Sequence, residues 1–502
     1  MRSAAVYGID AHLIDVEVDL HSAGSARDFV TVGMPDTAVR ESRERIKSAL
    51  LNSGFGYPAK PVTINLAPAN VRKEGAGFDL PMALGILGAM GVVQQSPAHL
   101  VVGELSLDGT LRPVRGALSV ALCARACSIR NLIVPQENAE ESAVVSDVNV
   151  FGARHLAEVV ALLKGIDGAH RHEPASPAPV VDRPTGMDLA DVRGQTAAKR
   201  AMEVAAAGAH NLLLIGPPGS GKTMLAKRMP GILPPLTFEE ALETTKIHSV
   251  AALIPKGMGL LRERPFRAPH HTTSDAGMIG GGSGNLRPGE VSLAHHGVLF
   301  LDELPEFPRN VLEILRQPLE DHVVTLARSS MTMTFPANFV LLGAMNPCRC
   351  GYYGDPTREC RCTGAEIQRY LGKISGPLLD RIDLHVEVAA VPYKEMRARD
   401  SGMTSAQMRE RVLAARELQR ARGFYNAAIP PAKLREICSL DDGGERTLEM
   451  AVRRMGLSAR AHDRILKVAR TVADLDHSRS VGAKHIAEAV QYRTLDKGYW
   501  GS

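Results

Sequence analysis

The sequence predicts an α/β protein built around a parallel sheet wound with helices, followed by a small helical lid. Between residues 189 and 390, short apolar runs typical of buried strands alternate with helix-forming stretches. Beyond residue 390 the apolar residues recur with helical periodicity only. Before residue 165, alternating runs at 16–20 and 61–66 predict strands, so this part of the chain is expected to be α+β.

Individual helices follow from the same periodicity. Two are predicted in the first part of the chain, at 36–52 and 80–90. Thr404 and Gln407 have the spacing of a capping box, which predicts a helix over 404–422. Further helices are predicted at 448–455, 460–474 and 481–492.

A linker is predicted between the first two domains. Residues 165–188 are rich in Pro, Gly and His and show no period, which is typical of a linker. A chain of 502 residues can hold three folding units. We therefore expect an N-terminal domain over 1–164, an α/β core over 189–390 and a helical lid over 391–502.

A phosphate-binding motif lies in the predicted core. The apolar run 212–215 leads directly into Gly216, Pro217, Pro218, Gly219, Ser220, Gly221, Lys222 and Thr223. This is the pattern G-x-x-x-x-G-K-[ST], placed between a buried strand and a helix-forming stretch at 224–229, a context that a chance glycine-rich turn would lack. Backbone N–H groups of such a loop surround phosphate oxygens, with Lys222 reaching the β- and γ-phosphates and Thr223 holding Mg²⁺. The sequence therefore predicts a nucleoside triphosphatase.

Two further apolar runs end in polar residues that suit hydrolysis. The run 298–301 ends at Asp302, a candidate Mg²⁺ ligand, and Glu303, a candidate base for the attacking water. The alternative is that these two acids only cap the next helix. The run 339–345 ends at Asn346, whose amide could hydrogen-bond the γ-phosphate or the water, or could simply turn the chain before Pro347. Spacing alone does not separate these two roles of Asn346.

Two arginines are candidates for stabilising the charge of phosphoryl transfer. Arg381 follows a predicted helix and is flanked by Asp380 and Asp383, while Arg460 opens the helix at 460–474. A guanidinium near the γ-phosphate stabilises the transition state and can come from a neighbouring subunit. Spacing by itself would favour ordinary surface ion pairs for both.

The order of these motifs resembles the YifB/ComM family of magnesium-chelatase-like AAA+ ATPases, nearly from end to end. The residues that carry the resemblance are FVTVGMPDTAVRESRERIKSAL at 29–50, GAHNLLLIGPPGSGKT at 208–223, FRAPHHTTSDAGMIGGG at 266–282, GVLFLDELPEF at 297–307, MNPCRCGYYGD at 345–355 and ISGPLLDRIDLHVEV at 374–388. The resemblance implies an AAA+ P-loop core with a C-terminal helical lid, using ATP and Mg²⁺.

The resemblance also implies a role for each candidate residue. It places Lys222 and Thr223 in the Walker A motif and Asp302 and Glu303 in the Walker B motif. Asn346 becomes sensor 1, Arg381 an arginine finger acting in trans, and Arg460 sensor 2. A finger acting in trans implies a homo-oligomeric ring, expected to be a hexamer.

The N-terminal domain resembles the proteolytic domain of Lon protease, through residues 72–87 and 103–138. Proteolysis in that fold uses a serine nucleophile and a lysine, and the matching positions here fall near Gly77 and Leu118. We therefore expect a domain without proteolytic activity that serves binding or ring assembly. Its basic residues could contact nucleic acid, although a solvated helix face explains the first four better: Arg40, Arg43, Arg45, Lys47, Lys60, Arg72 and Lys73.

Composition narrows the class of protein. Hydrophobic residues make up 45% of the chain and charged residues 23%, as in ordinary globular proteins. The chain shows no signal peptide, and its longest apolar run, 80–93, is too short to span a bilayer. Seven cysteines in a chain of this size indicate a reducing compartment, so we expect a cytoplasmic protein without a membrane partner. The net charge of +4 does not discriminate between partners.

Four of the cysteines form a compact group: Cys348, Cys350, Cys360 and Cys362. Four thiolates satisfy the ligand count of a closed structural Zn²⁺ site. The C-x-C spacing is tighter than the usual C-x₂-C, and the alternative is a set of idle thiols in a reducing cytosol. We expect a structural zinc beside the strand that ends at Asn346.

Two insertions suggest where work on a substrate is done. Residues 266–284 include His270 and His271, which we interpret as polar loop residues because no third metal ligand stands at a recognisable spacing. Residues 322–338 alternate like a hairpin with Arg328 and Ser329 at its tip. By resemblance this hairpin projects into the ring channel, where Arg328 could contact a phosphate backbone or could merely be a solubilising tip residue.

Three functions are compatible with this sequence. The first is a motor that translocates on single-stranded or branched DNA and acts as a branch-migration helicase in recombination or natural transformation. The second is an ATP-dependent protein remodeller or chelatase-like conformational switch that does not act on DNA. The third, weaker hypothesis is an ATP-regulated scaffold without translocation.

Overall fold

The computed structural model describes residues 1–21, 29–94, 96–166, 170–173, 186–282, 286–328, 331–356, 358–391, 402–495 and 499–500. They form two compact units. The first unit comprises Met1–Pro179, Thr237–Arg262 and Gly282–Pro288, and the second comprises Val180–Leu236, Glu263–Gly281 and Gly289–Ser502. Most of the predicted linker lies outside the described residues.

The first unit contains a mixed eight-stranded sheet with the order β10-β9-β8-β5-β1-β2-β4-β3. Its strands β1 to β5 are Arg2–Tyr7, Asp10–Leu20, Phe29–Val32, Val62–Ala67 and His99–Val101. Strands β8 to β10 are Asn131–Pro135, Asn149–Ala153 and His170–His172, and a small hairpin pairs β6 (Glu104–Leu105) with β7 (Leu111–Arg112). The strands predicted at 16–20 and 61–66 are confirmed.

Helices cover both faces of this sheet. Ile14 and Val16 of β2 pack with α1 and α2 on one face, whereas Leu100 and Leu132 pack with α3 on the other. Helix α2 is buried along most of its length, from Asp79 through Leu87. The helices of this unit are α1 Thr37–Asn52, α2 Asp79–Ala89, α3 Ala117–Ala126, α4 Ala139–Ser142, α5 Leu156–Leu163 and, further along the chain, α8 Phe238–Val250. The helices predicted at 36–52 and 80–90 are confirmed.

The second unit contains a five-stranded sheet with the order β12-β15-β18-β11-β19, and all its neighbouring strands are parallel. Its strands are β11 Leu212–Ile215, β12 Phe266–Arg267, β15 Val298–Leu301, β18 Val340–Met345 and β19 Leu384–Glu387. Every residue of β11, β15 and β18 is buried, as expected for parallel strands covered on both faces. The parallel sheet predicted for the core is confirmed.

The strand order positions the candidate site. Strand β18 lies between β15 and β11, so the carboxyl ends of these three strands meet at one edge of the sheet. The P-loop follows β11, Asp302 follows β15 and Asn346 follows β18. Ligands of open parallel sheets bind at this edge.

Short helices and strands connect the sheet of the second unit. The helices are α6 Thr196–Gly208, α7 Lys222–Ala226, α9 Asp275–Ile279, α10 Glu290–Leu293, α11 Arg309–Ile314, α12 Pro318–Asp321, α13 Gly364–Leu371 and α14 Gly376–Leu379. The predicted hairpin is present as β16 Val323–Arg328 paired with β17 Met331–Pro336, in the register Val323↔Pro336. Its predicted tip residue Ser329 lies outside the described residues. Two further short strands are β13 Gly280–Gly281 and, in the first unit, β14 Arg287–Pro288.

The C-terminal part of the chain is helical. Helix α15 begins with the predicted capping box of Thr404 and Gln407. Ile465, Val468 and Val472 of α18 share one buried core with Leu212 and Leu214 of β11, so the helices stabilise the sheet that carries the P-loop. The helices are α15 Ser405–Arg422, α16 Pro431–Ile437, α17 Asp442–Met455, α18 Ala459–Leu475 and α19 Ala483–Gln491. Among the described residues, no helix combines the length and apolar character needed to cross a bilayer.

Candidate active site

The loop after β11 is shaped by glycines. Gly219 and Gly221 have φ values of +77° and +94°, a region that residues with a Cβ rarely adopt. A Cβ on Gly216 would overlap the carbonyl of Val388. Inside the loop the Ser220 side chain is buried, and its Oγ has no hydrogen-bond partner among the described residues. The loop is therefore built with a donor still available to an anion such as a phosphate.

Lys222 joins the loop to the neighbouring strand. Its Nζ donates to the carbonyls of Gly216 (2.7 Å) and Pro217 (2.9 Å) and to Oδ1 of Asn346 (3.2 Å). Burial lowers the pKa of Lys222 to about 8, and the negative charges of Asp302 and Glu303 only partly oppose this shift. The structure thus brings the predicted sensor residue Asn346 to the P-loop lysine.

Thr223 and Asp302 lie together, as expected for magnesium ligands. The Oγ1 of Thr223 donates to Oδ2 of Asp302 at 2.7 Å. A hydroxyl and a carboxylate are oxygen donors of the kind that Mg²⁺ prefers, so the residues present fit the ion. The predicted magnesium ligands therefore come from two neighbouring elements, α7 and the end of β15.

Glu303 occupies a strained backbone position beside Asp302. Its φ is +52°, and its backbone N–H donates to Oδ1 of Asp302 at 3.0 Å. A non-glycine residue held in this region costs about 1–3 kcal/mol, and such residues cluster at functional sites. The turn therefore fixes the backbone of Glu303 directly after the predicted magnesium ligand.

His271 belongs to this group, although the sequence analysis assigned it to a polar loop. Its Nδ1 lies 3.5 Å from Oε2 of Glu303, and its ring lies against that of His270, tilted by 34° with 4.0 Å between centroids. Strand β12 pairs with β15, so the residues that follow β12 lie near those that follow β15. The signal that could have found His271 was this strand pairing, which motif spacing does not contain.

Gln195 is a second residue that the sequence analysis missed. Its Nε2 donates to the carbonyl of Ser220 in the P-loop (3.0 Å) and to that of Ala389 (2.7 Å). The residue precedes α6 in a left-handed conformation with a φ of +56°. Gln195 therefore ties the P-loop to the segment that follows β19.

Of the two candidate arginines, Arg381 contacts the carboxylate of Glu320, and Arg460 contributes only its charge there. Arg381 forms an ion pair with Glu320, and its NH1 donates to the carbonyl of Pro377 at 2.6 Å. The hydrogen bond from Arg381 lowers the pKa of Glu320, and the charges of Arg381, Arg460 and Arg464 add to this effect. The side chain of Arg381 therefore hydrogen-bonds to Glu320 and Pro377, neither of which belongs to the P-loop.

A buried network fixes the segment that carries Arg381. Asp383 contacts Arg464 (2.6 Å) on α18, His210 (3.3 Å), and the backbone N–H of Asn211 (3.1 Å) at the start of β11. Burial would raise the pKa of Asp383, but Arg464, His210 and the amide outweigh it and hold the pKa well below its usual range. The network connects the predicted finger to both the sheet and the helix of Arg460.

Comparisons with known proteins identify the family of this chain. Sequence models described as "Magnesium chelatase, subunit ChlI", "Subunit ChlI of Mg-chelatase" and "Magnesium chelatase, subunit ChlI C-terminal" match residues 188–396, 16–138 and 402–493. The chain is 44% identical to competence protein ComM of Haemophilus influenzae, over 98% of this chain and 97% of that protein. It belongs to the YifB/ComM family of magnesium-chelatase-like AAA+ proteins.

Other relatives agree with the predicted fold class. The YifB protein of Salmonella typhimurium is 44% identical over 99% of this chain and 97% of its own length. Lon protease 2 of Bacillus subtilis is 24% identical over 28% of each chain. The predicted AAA+ core, helical C-terminal domain and Lon-like N-terminal part are thus confirmed as a fold class, and the family implies the use of ATP and Mg²⁺.

In the Lon-like part, the structure places no serine at the expected nucleophile position. Gly77 lies in a 3-10 turn over Ala76–Phe78, and Leu118 is buried on α3. Among the basic residues named above, Lys73 is fully buried and donates to the carbonyl of Pro68, and Arg45 pairs with Asp79 at 2.7 Å. These two residues are therefore engaged internally, which leaves the exposed members of the set as candidates for an external contact.

The four clustered cysteines converge beside Asn346. All four Sγ atoms lie within 4.8 Å of one another, and three pairs are 3.3, 3.6 and 3.7 Å apart. Thiolates bound to zinc at about 2.3 Å in a tetrahedron stand about 3.8 Å apart. The arrangement therefore fits a Zn²⁺ ion, with Cys348 buried and the other three half-buried.

Proposed function

We propose that this protein is an ATP-hydrolysing motor that works as a homo-oligomeric ring on single-stranded or branched DNA. The observation that carries the ATPase assignment is the convergence of the P-loop, Asp302, Glu303 and Asn346 at one edge of the sheet, with Thr223 and Asp302 2.7 Å apart. The DNA substrate is supported by near full-length similarity to a protein named for competence.

Each residue of the site has a distinct role in this proposal. The P-loop and Lys222 bind the β- and γ-phosphates, and Thr223 with Asp302 holds Mg²⁺, which neutralises phosphate charge when bound. Glu303 accepts a proton from water as the water attacks the γ-phosphorus and the bond to ADP breaks. Asn346 orients the γ-phosphate or the water, and His271 and Gln195 position Glu303 and the P-loop.

The remaining charge stabilisation comes from a neighbouring protomer. Arg381 would act in trans as the finger, and Arg460 would contact the phosphates from the lid. This is supported by the engagement of Arg381 with Glu320 within one protomer. A ring, which we propose to be a hexamer, would complete each site between two chains.

DNA would be contacted by the β16–β17 hairpin, including Arg328, through the phosphate backbone. Such contacts do not depend on sequence and weaken as salt is raised.

We propose that the N-terminal domain (1–164) serves ring assembly or binding, joined by a linker (165–188) to the core (189–390) and the lid (391–502). We also propose a cytoplasmic location, whose reducing conditions would keep the seven cysteines out of disulfides.

The experiment that tests this function is the ATPase rate of the purified protein with and without DNA. We expect forked and single-stranded DNA to increase the rate, and 0.5 M salt to remove the increase. A Lys222→Ala variant is the control for contaminating ATPases. If DNA does not change the ATPase rate but an unfolded protein increases it, the protein is instead a protein remodeller. If neither changes the rate, the hypothesis of an ATP-regulated scaffold remains.

We further propose that the four clustered cysteines hold one structural Zn²⁺. The support is the distance between their Sγ atoms, 3.3 to 3.7 Å for the three pairs among Cys348, Cys350 and Cys360. Metal analysis of the protein purified without chelators should give one zinc per chain. A content well below one equivalent would contradict the assignment.

A further inference from the structure

We propose that the loop closed by the four cysteines is a zinc-dependent clamp on the P-loop, so that tight ATP binding requires the metal. This inference rests on the proposed ATP site and adds a condition for its formation. The clamp is defined as the described residues 348–356 and 358–362, which include all four cysteines.

One side of the clamp packs directly on the phosphate-binding loop. Gly351 has a φ of +89°, and a Cβ built on it would lie 2.8 Å from Cγ of Pro218 and closer still to Cδ. No side chain fits between this backbone and Pro218, which is itself a residue of the P-loop. The turn is held by a hydrogen bond from the Gly351 N–H to the carbonyl of Cys348 (3.0 Å). The position of Gly351, and with it the support of Pro218, therefore follows the position of Cys348.

The other side of the clamp is continuous with the sensor strand. Cys348 is buried and stands two residues after Asn346, which accepts a hydrogen bond from Lys222 at 3.2 Å. The clamp thus touches the nucleotide site twice, at Pro218 by packing and at Asn346 through the chain. Both contacts lie on residues that the proposed function assigns to phosphate binding.

A bound metal would fix the parts of this loop that carry the cysteines. Between Met345 and Gly364 the described residues form no helix or strand, so the regular backbone hydrogen bonds of a helix or sheet do not fix the loop. Four sulfur atoms this close are stable as thiolates only around a cation, because like charges in partly buried surroundings repel. Loss of the metal would release the loop and remove its support from Pro218 and Asn346.

Two glycine variants of the full-length protein test whether nucleotide binding depends on the contact with Pro218 and not on any change in the loop. Gly351→Ala introduces the overlap with Pro218, whereas Gly354→Ala introduces a Cβ at a similar φ, +80°, with nothing within 4 Å. The affinity for a fluorescent ATP analogue with Mg²⁺, and the zinc content, are measured for both. We expect Gly351→Ala to weaken nucleotide binding about tenfold, which is the size of a moderate overpacking cost. Gly354→Ala should bind as tightly as the unmodified protein. Equal affinities for the two variants would overturn the proposal.

A second experiment removes the metal and measures nucleotide binding. Treatment of the unmodified protein with a zinc-selective chelator in excess Mg²⁺ should weaken nucleotide binding, and added Zn²⁺ should restore it. Cys360→Ser should reproduce the loss, while Cys127→Ser, which removes an exposed cysteine of the first unit, should not. If zinc-free protein binds the analogue as tightly as zinc-loaded protein, and Lys222→Ala does not bind, the clamp is refuted and the ATPase assignment stands. If zinc-loaded protein does not bind the analogue at all, the proposed function itself fails.

Discussion

The P-loop side and the arginine side of the candidate site differ in how far a single chain completes them. On the P-loop side, Lys222, Asn346, Thr223 and Asp302 are already joined by hydrogen bonds of 2.7 to 3.2 Å. On the other side, Arg381 is paired with Glu320. The comparison teaches that the strand order brings the predicted phosphate and metal ligands together within one chain, whereas in the proposed function the stabilisation of transition-state charge depends on a neighbouring protomer.

The largest effect expected from this comparison is on the arginine side. Arg381→Ala should lower the rate of ATP hydrolysis about 10³-fold, because an arginine finger stabilises the charge of the transition state. Affinity for a fluorescent ATP analogue should change little, since the P-loop side is intact. The rate and the affinity are measured on the same preparation. A parallel loss of binding would show that Arg381 supports the fold instead.

Glu303→Gln should have the next largest effect. The amide cannot accept the proton of the attacking water, so hydrolysis should fall about 10²-fold or more while ATP stays bound. Single-turnover hydrolysis of labelled ATP measures this directly. Glu306→Gln, which removes a nearby acid paired with Lys373, is the control and should retain activity. Turnover by Glu303→Gln at the normal rate would rule this residue out as the base.

The pH dependence of ATP binding tests the electrostatics of the P-loop side. Since the pKa of Lys222 is about 8, its ammonium is charged at pH 7 and mostly neutral at pH 9. A neutral amine attracts phosphate poorly, so affinity should fall about tenfold between these pH values. Lys222→Arg should bind more weakly but with little dependence on pH in this range, because the guanidinium stays charged. A flat profile for the unmodified protein would contradict the assigned role.

The smallest effect is expected at Glu320. If this carboxylate competes for Arg381 in the free protomer, Glu320→Gln should lower the protein concentration that gives half-maximal ATPase activity. The free energy of such an ion pair is large enough to shift that concentration about threefold. Glu449→Gln breaks an exposed pair with Arg453 on α17 and should leave the concentration unchanged. A higher concentration requirement for Glu320→Gln would mean that Glu320 belongs to the assembled site.

Local patterns accounted for much of the fold and part of the site. The sequence predicts the strands β11, β15 and β18 and the capping box at Thr404. The spacing of apolar residues and the hydrogen bonds of a helix cap involve only residues that are close along the chain. His271 and Gln195 were not found, since their contacts depend on which strands are neighbours and on a left-handed backbone at 195. The sequence pattern of α8 also does not reveal that this helix belongs to the first unit, because along the chain it lies between segments of the second unit.

The most direct test of the central claim mixes two inactive proteins, Arg381→Ala and Lys222→Ala. Where an Arg381→Ala P-loop meets the Arg381 of a Lys222→Ala neighbour, a complete site forms between the two chains. Random assembly at equal concentrations would give such a site at about a quarter of the interfaces of a ring. We therefore predict that ATPase activity appears on mixing and is greatest near the equal ratio. If no ratio restores hydrolysis, the arginine does not act across an interface and the account is contradicted.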